Sequence, residues 1–226
     1  MRIWIESRVD ARFLAHAAKR AGMTVSRTRP DVVITYGGDG TILDATRAFS
    51  APIMPLRRSA ICSRCAHYHP GQVRALLTLL QRGRYHLRAY GKIEARVGAR
   101  RLIGLNDVQL HNADPRVALR FAVTCGSVRR PLLIGDGLVA ATAFGSTAYY
   151  EALGYAPFSS GYRVGFNNTK PRPAALRLKR QCVVTVLREH ALVLADNDPR
   201  QIAVRPGQRV IIRPSREKVQ FVEFVR

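Results

Sequence analysis

The residue with the clearest chemical use in this sequence is Asp39, which stands within a glycine-rich turn. The turn comprises Gly37, Gly38, Asp39, Gly40 and Thr41, and it follows the apolar run 31–35. Glycines let the backbone approach a ligand closely, and the unpaired N–H groups at the start of a helix attract phosphate. A carboxylate in such a turn repels phosphate unless it holds a metal ion or accepts a proton from an attacking hydroxyl. The alternative is that Asp39 only stabilises the turn through backbone hydrogen bonds.

A second glycine-centred stretch, residues 135–150, is typical of a strand that turns into a helix. Asp136 opens the strand, and Gly145, Ser146 and Thr147 form the turn. Hydroxyls in this position can cap the helix and contact a ligand. Ordinary helix capping without any ligand is the alternative.

The elements around the first turn alternate between strands and helices. The sequence predicts strands over 2–6, 23–25, 31–35 and 51–56, and helices over 9–21, 41–49 and 71–82. Thr41 is the expected N-cap of the second helix, and Pro70 is expected to open the third. This alternation predicts a parallel sheet with helices on its faces.

The pattern changes near residue 84, where apolar and polar residues begin to alternate with a period of two. Strands are predicted over 85–90, 93–97, 102–110, 117–123, 182–187, 191–194, 202–204, 209–213 and 219–225, and in the middle of the stretch 135–150. We therefore expect an α/β N-terminal domain with a parallel sheet (1–83) and a C-terminal β-rich antiparallel domain (84–226). The last residues are free to pack back on the first domain.

Composition limits the classes of partner and location. The chain has 226 residues, 47% of them hydrophobic, and lacks the long apolar run of a membrane span or a secretory segment, so we expect a cytoplasmic protein. Its 37 basic and 15 acidic residues give a net charge of +22. Such a field attracts polyanionic nucleotides, polyphosphate or, through non-specific charge, nucleic acid. A generally arginine-rich surface is the alternative.

Two of the four cysteines are spaced as metal ligands can be. Cys62 and Cys65 form a C-x-x-C pair followed by His67 and His69, whereas Cys125 and Cys182 stand alone. A single C-x-x-C is a weak signal, because a structural zinc site needs four ligands. Free thiols in a reducing compartment are the favoured interpretation, and metal binding stays open.

Three motifs, in this order, resemble the NAD kinase family. They are Gly37–Thr41, then Leu105-Asn106-Asp107-Val108, then Asp136-Gly137 with Gly145-Ser146-Thr147-Ala148-Tyr149. The first motif is shared with diacylglycerol, sphingosine and 6-phosphofructokinase relatives, whereas the third is more specific to NAD kinases. The resemblance implies the two domains above with a ligand cleft between them. It also implies phosphoryl transfer to the 2′-hydroxyl of the adenosine ribose of NAD, from ATP or polyphosphate with Mg²⁺ or another divalent metal, in a homo-oligomer.

Individual roles follow from the same resemblance. Asp39 corresponds to the base or metal-linked carboxylate beside the ribose hydroxyl, and Gly37, Gly38, Gly40 and Thr41 shape the phosphate turn. The residues implied to contact the dinucleotide are Asn106, Asp107, Asp136, Phe144, Ser146, Thr147, Ala148 and Tyr149. No protein side chain is assigned as a metal ligand.

The sequence departs from the family pattern at two places that bear on the substrate. Phe144 replaces a small polar residue before Gly145, and we expect its ring to form a stacking wall for the dinucleotide; the alternative is that it turns into the interior. Arg57 and Arg58 replace a glycine-rich element and could hold phosphates in a bidentate way. Two other functions remain open: a related kinase acting on a different hydroxyl substrate, and a non-catalytic nucleotide- or nucleic-acid-binding module.

Overall fold

The computed structural model describes residues 1–57, 70–170 and 172–224, and it forms two compact units. Unit 1 comprises Met1–Tyr90 and Lys218–Arg226, and unit 2 comprises Gly91–Glu217. The expected fold class is confirmed, because parallel strands with helices are joined in one chain to antiparallel sheets. The division into functional domains at residue 83 stays a prediction.

Unit 1 is an α/β unit. Its elements are β1 (Arg2–Glu6), α1 (Arg12–Arg20), β2 (Thr24–Val25), β3 (Val32–Gly37), α2 (Asp39–Ala48), β4 (Ile53–Arg57), a 3₁₀ turn (Pro70–Gln72) and α3 (Val73–Gln81). The strands pair in parallel in the order β2-β1-β3-β4. Phe221, near the end of the last strand of the chain, pairs in parallel with Ile53 of β4.

The core of unit 1 forms because each element buries the apolar face that its periodicity predicts. Ile3 and Ile34 from the sheet lie in one cluster with Leu14 of α1 and Leu77 of α3. One detail of the prediction is wrong: the N-cap of α2 is Gly38 and not Thr41, because the helix already begins at Asp39.

Unit 2 is built from antiparallel strands. Its elements are β5 (Tyr85–Val97), β6 (Arg100–Gly104), β7 (Asp107–Asn112), β8 (Leu119–Cys125), β9 (Val128–Gly135), β10 (Gly137–Thr142), a 3₁₀ turn (Phe144–Thr147), α4 (Tyr149–Ala152), β11 (Tyr162–Asn167), β12 (Leu176–Arg177), β13 (Cys182–Arg188), β14 (Ala191–Ala195), β15 (Ile202–Val204) and β16 (Arg209–Phe224). By these bounds, β5 and β16 contribute residues to both units.

Two sheets of unit 2 share one hydrophobic core. One contains the order β16-β13-β8-β9, and the other has the order β12-β11-β10-β7-β14-β15. Phe121 and Val184 from the first sheet cluster with Leu110 and Phe166 from the second. Burial alternates along β8 and β13, as a strand with one face on a core requires, whereas all six residues of β10 are buried.

The strand prediction differs from the structure in β6, β7 and β9, and strands β11 and β12 were also not predicted. The predicted strand 102–110 is two strands, β6 and β7, with a turn at Leu105 and Asn106. Strand β9 was not predicted because it contains Arg129, Arg130 and Pro131; it forms an edge of its sheet, where proline is tolerated. Within the described residues, no helix has the length and apolar character needed to cross a membrane.

Candidate functional site

The glycine turn of unit 1 joins the end of a parallel strand to the start of a helix. Strand β3 ends at Gly37, Gly38 is the N-cap of α2, and Asp39 is the first helical residue. The N–H of Thr41 donates to the Gly38 carbonyl at 3.0 Å, which closes the first turn. The carboxyl ends of parallel strands and the N-termini of helices are where α/β sheets bind phosphorylated ligands.

The two glycines before Asp39 have different surroundings. A Cβ on Gly37 would lie 2.3 Å from Oγ1 of Thr41, so the threonine side chain occupies the space that a larger residue would need. A Cβ on Gly38 would meet no atom within 4 Å. Thr41 is therefore a buried packing residue of the turn, and the open side of Gly38 is available to an approaching ligand.

Asp39 is the acidic residue in the first turn of α2. Among the described residues, no group of three or more His, Cys, Asp and Glu side chains could hold a metal ion alone. Mg²⁺ is commonly bound through one or two carboxylates together with substrate phosphates and water, and a single carboxylate beside an anion-binding turn fits that mode. The side chains of Arg57 and Arg58, expected to contact phosphates, lie outside the described residues, as do Cys62 and Cys65.

In unit 2, a buried aspartate holds the turn that presents Asn106 and Asp107. Oδ2 of Asp196 accepts the N–H of Leu105 at 2.6 Å, and Oδ1 accepts those of Asn106 at 2.8 Å and Asp107 at 3.1 Å. The backbone of Asp196 has a φ of 47°, in the left-handed region that aspartate tolerates better than most residues. Three N–H donors on one carboxylate fix the conformation of the turn.

The Gly145 turn packs directly on the same segment. A Cβ on Gly145 would lie 2.3 Å from the Cα and carbonyl oxygen of Asn106, so only glycine allows this approach. Oγ1 of Thr142 donates to the Leu105 carbonyl at 2.6 Å and accepts the N–H of Gly145 at 3.0 Å. Two motifs that are far apart in the sequence, Asn106-Asp107 and Gly145–Tyr149, thus form one structure.

Asp107 is a buried carboxylate with a perturbed pKa. Its side chain is 3% exposed and accepts a hydrogen bond from Nε2 of Gln109 at 2.9 Å. Burial raises the pKa of Asp107 to about 7; the bond from Gln109 opposes this shift, and the nearby charge of Asp196 adds to it. Burial also raises the pKa of Asp196, although its three N–H bonds and Lys92 act in the opposite direction. Strongly shifted carboxylates are enriched at functional sites.

Tyr149 and Asp136 lie near Asp107. We call these three residues, together with Asn106, the polar group of unit 2. The hydroxyl of Tyr149 accepts a hydrogen bond from Nδ2 of Asn167 at 3.1 Å. Burial raises the pKa of Tyr149, and the charges of Asp107 and Asp136 raise it further, so the phenol and both carboxylates are neighbours. Asp136 accepts from Nδ2 of Asn168 at 3.0 Å, which fixes its carboxylate.

The remaining predicted contacts have mixed exposure. Thr147 is exposed and Ala148 is half-buried, so both are accessible. Ser146 is 1% exposed, and its hydroxyl lies 2.9 Å from the Ala143 carbonyl and 3.0 Å from that of Phe158. The geometry therefore gives this hydroxyl a role in holding the turn, and the expected ligand contact of Ser146 stays a prediction. Phe144 is 7% exposed, which favours the interior placement of its ring over a broad exposed face.

Sequence reasoning missed several residues that contact or hold the polar group of unit 2. They are Gln109, Thr142, Asn167, Asn168 and Asp196, the last of which accepts the N–H groups of the turn. The consecutive asparagines at the end of β11 were the available signal for Asn167 and Asn168, because asparagine is unusual within a strand. Gln109 gives no local signal, since polar residues alternate along any half-buried strand.

Comparisons with known proteins agree on one family. No family model matches the chain. The chain is 29% identical over 160 residues to an NAD kinase of Sulfurisphaera tokodaii, covering 66% of this chain and 60% of that protein. It is 27% identical over 224 residues to NAD kinase 1 of Halalkalibacterium halodurans, covering 90% of this chain and 83% of that protein.

The chain is similar to NAD kinases over most of its length. NAD kinases are phosphotransferases, and this similarity supports an enzyme of that class. Its fold is that of the family as well: a crystal structure of an NAD kinase from Archaeoglobus fulgidus in complex with ATP superposes with a TM-score of 0.83. That match covers 99% of this chain and 94% of the other at 19% identity. The assignment of the motifs described above to an NAD kinase site stays a prediction.

Proposed function

We propose that this chain transfers the terminal phosphoryl group of ATP to the 2′-hydroxyl of the adenosine ribose of NAD, giving NADP. The observation that carries the proposal is the placement of Asp39 as the first residue of α2, directly after the open Gly38. A carboxylate there has a chemical use, because it can orient a hydroxyl and accept its proton beside bound phosphate.

The turn of unit 1 has the features of a phosphate-binding site. The N–H groups at the start of α2 favour anionic oxygens, and the free space beside Gly38 permits their close approach. Phosphoryl transfer needs little covalent help from a protein, so positioning and electrostatic stabilisation account for most of the rate. Asp39 is the base of the acceptor hydroxyl in this proposal.

The polar group of unit 2 has the chemistry of a nucleoside-binding site. Asn106 and Asp107 stand on a turn fixed by Asp196, and Tyr149 borders the two carboxylates. Asp107, with a pKa of about 7, exists in both protonation states near neutral pH. It can therefore accept from or donate to a sugar hydroxyl or a base nitrogen of NAD. The Gly145 turn holds this arrangement rigid.

A divalent metal ion fits the phosphate side of the turn. Mg²⁺ would be held chiefly by oxygens of the substrate phosphates and by water, so the Asp39 carboxylate remains the proton acceptor. When bound, Mg²⁺ neutralises charge that develops on the phosphoryl oxygens during transfer.

The donor is assigned to ATP on the basis of a related protein, since the Archaeoglobus fulgidus NAD kinase structure contains ATP. Polyphosphate is the alternative donor, because its chain of phosphates suits the same N–H groups and the net charge of +22. We also propose that the enzyme works in the cytoplasm as a homo-oligomer. Light scattering on the purified protein measures the subunit number.

The test is an assay of the purified chain with NAD, Mg²⁺ and either ATP or polyphosphate, in which NADP is quantified by chromatography. We expect NADP with ATP, no product when EDTA removes the metal ion, and none from NAD that lacks the 2′-hydroxyl. A parallel reaction with NADH measures which redox form is preferred. Phosphate on a different hydroxyl, or tight NAD binding without any turnover, would contradict the proposal and support the two other functions raised by the sequence.

A further inference from the structure

A cavity in unit 2 has no part in the site described above. Its volume is about 620 Å³, within the range of small-molecule pockets. It lies beside the hairpin that joins β8 to β9 and the segment that leads from β12 into β13. The residues that line it are Thr124, Cys125, Gly126, Ser127, Val128, Ala175, Leu176, Arg177, Lys179, Arg180, Gln181 and Val183. None of them is a residue of the proposed kinase machinery.

The lining combines positive charge with an apolar surface. Arg177, Lys179 and Arg180 line the cavity, and no lining residue is acidic. Within the described part of the chain, none of these three side chains forms a salt bridge. Val128 and Val183 supply apolar contacts. A small organic anion with a partly apolar body suits such a cavity.

Cys125 lines the wall of the cavity, and Cys182 lies behind it in the core. Cys125, the last residue of β8, is directly opposite Cys182, the first residue of β13. Opposed residues on antiparallel strands have Cα atoms about 4.5 or 5.5 Å apart, a separation that a disulfide can span. Both are free thiols in the structure. The thiol of Cys125 donates to the carbonyl of Arg177 at 3.6 Å, which connects the pair to the basic segment.

The two thiols differ in access and acidity. Cys125 lines the cavity and is 5% exposed, whereas Cys182 is fully buried. Interaction with Cys182 lowers the pKa of the Cys125 thiol, and the same interaction together with burial raises the pKa of Cys182. Thiolate character and access both make Cys125 the attacking sulfur.

We propose that this cavity binds small anionic disulfides and that Cys125 and Cys182 are oxidised there to an intramolecular disulfide. The Cys125 thiolate attacks one sulfur of the bound disulfide, whose S–S bond breaks, and one half of the ligand leaves as a thiolate. Cys182 then gives up its proton and attacks the Cys125 sulfur, which releases the second half. Two protein thiols are oxidised and one small disulfide is reduced to two thiols. The site is independent of the kinase reaction.

The test uses the full chain with Cys62→Ser and Cys65→Ser, which leaves the two described thiols. The protein is treated with 5,5′-dithiobis(2-nitrobenzoate), an anionic disulfide, and separately with 2,2′-dithiodipyridine, a neutral one. We expect two reporter thiolates to be released per folded chain. The product should be lighter than the starting protein by two hydrogen atoms and carry no attached reagent. A product that retains the reagent, or reaction only after unfolding, would overturn the proposal.

Charge recognition is tested by the ratio of two reaction rates, the rate with the anionic disulfide divided by the rate with the neutral one. Arg177→Gln, Lys179→Gln and Arg180→Gln together should lower this ratio by about tenfold, as loss of local steering does. The matched control replaces three exposed arginines of unit 1, Arg74, Arg82 and Arg84, by Gln, which removes the same net charge and should leave the ratio unchanged. Equal ratios in both triple variants would exclude an anion-binding cavity.

The order of attack is tested by Cys182→Ala, chosen because alanine is tolerated in a fully buried position. This variant should release one reporter thiolate and keep the other half of the reagent on Cys125. If Cys125→Ala reacted at the rate of the two-thiol protein, the assigned roles would be reversed and the proposal refuted.

Discussion

Asp107 and Asp196 are joined by two hydrogen bonds in addition to the proximity of their carboxylates. The N–H of Asp107 donates to Oδ1 of Asp196 at 3.1 Å, and the N–H of Asp196 donates to the carbonyl of Asp107 at 3.1 Å. Two acidic residues whose side chains would repel each other are thus held together by hydrogen bonds from main-chain N–H groups. The arrangement fixes Asn106, and it keeps a second negative charge close to Asp107.

The first prediction concerns the carboxylate that holds the turn. Asp196→Asn keeps the shape but replaces one acceptor oxygen by an NH₂ group, which faces N–H donors. Hydrogen bonds to charged groups contribute about 1.5–3 kcal/mol each, so we expect a lower melting temperature and a KM for NAD raised about tenfold. Both are measured on purified protein. Asp114→Asn, which changes an exposed carboxylate paired with Arg116, is the control; equal effects in the two variants would remove the positioning role.

The second prediction is a pH dependence of stability. Because the pKa of Asp107 is raised from 3.8 to about 7 in the folded protein, the folded state binds a proton that the unfolded chain has already released. The stability from the neutral carboxyl is therefore fully present below about pH 4 and is lost as the pH rises to about 7, a fall of about 4 kcal/mol. Denaturant unfolding from pH 4 to 8 measures it. Asp107→Asn should flatten this part of the profile, and an unchanged slope would contradict the assignment.

Local pattern was sufficient to predict the phosphate turn from the sequence. An apolar strand, a glycine pair and a helical period are all encoded within residues 31–49, and the structure has β3 and α2 there. The cap was misassigned because a threonine hydroxyl can accept an N–H at the start of a helix, which made Thr41 a candidate. In this turn, however, the threonine side chain is packed on Gly37.

The hydrogen bonds that hold the Asn106-Asp107 turn could not be predicted from the sequence, because they join residues that are far apart in the chain. Asp196 is 91 residues from Leu105, whose N–H it accepts, and the two meet only because β14 pairs with β7. Asn106 and Asp107 were selected through the family resemblance, since the apolar run around them reads as one strand. The interruption at Asn106 is a tertiary effect: Gly145 packs on its backbone.

The third prediction separates the two glycines before Asp39. Gly38→Ala should change the unfolding free energy by no more than about 1 kcal/mol, because its Cβ enters open space. The same methyl group should raise the KM for ATP about tenfold, which is ~1.4 kcal/mol of binding. Gly37→Ala should instead cost about 1–3 kcal/mol of stability, because its Cβ would clash with Thr41. Thermal melts and donor titrations on both variants give the comparison, and a reversed pattern would rule out ligand approach over Gly38.

The fourth prediction decides the role of Phe144. Because only 7% of the Phe144 surface is exposed, we expect Phe144→Ala to lose ~3–5 kcal/mol of stability, as truncated buried phenylalanines do. NAD affinity measured on the folded fraction should change little. A tenfold loss of NAD affinity with normal stability would restore the stacking wall expected from the sequence. Tighter NAD binding would instead identify the ring as a steric gate.

The last prediction concerns the chemical step itself. Asp39→Asn removes the proton-accepting carboxylate from the first turn of α2 while keeping its size and its place in the helix. Removing a general base typically costs ~10²–10⁴-fold in rate, so we expect kcat to fall by that factor while the melting temperature and much of the NAD affinity are retained. Asp10→Asn is a matched control, since Asp10 is an exposed carboxylate of the same unit that pairs with Arg12. Rapid-quench measurement of a single turnover ensures that the step compared is phosphoryl transfer and not product release. Near-normal transfer by the Asp39 variant would mean that the aspartate only stabilises its turn.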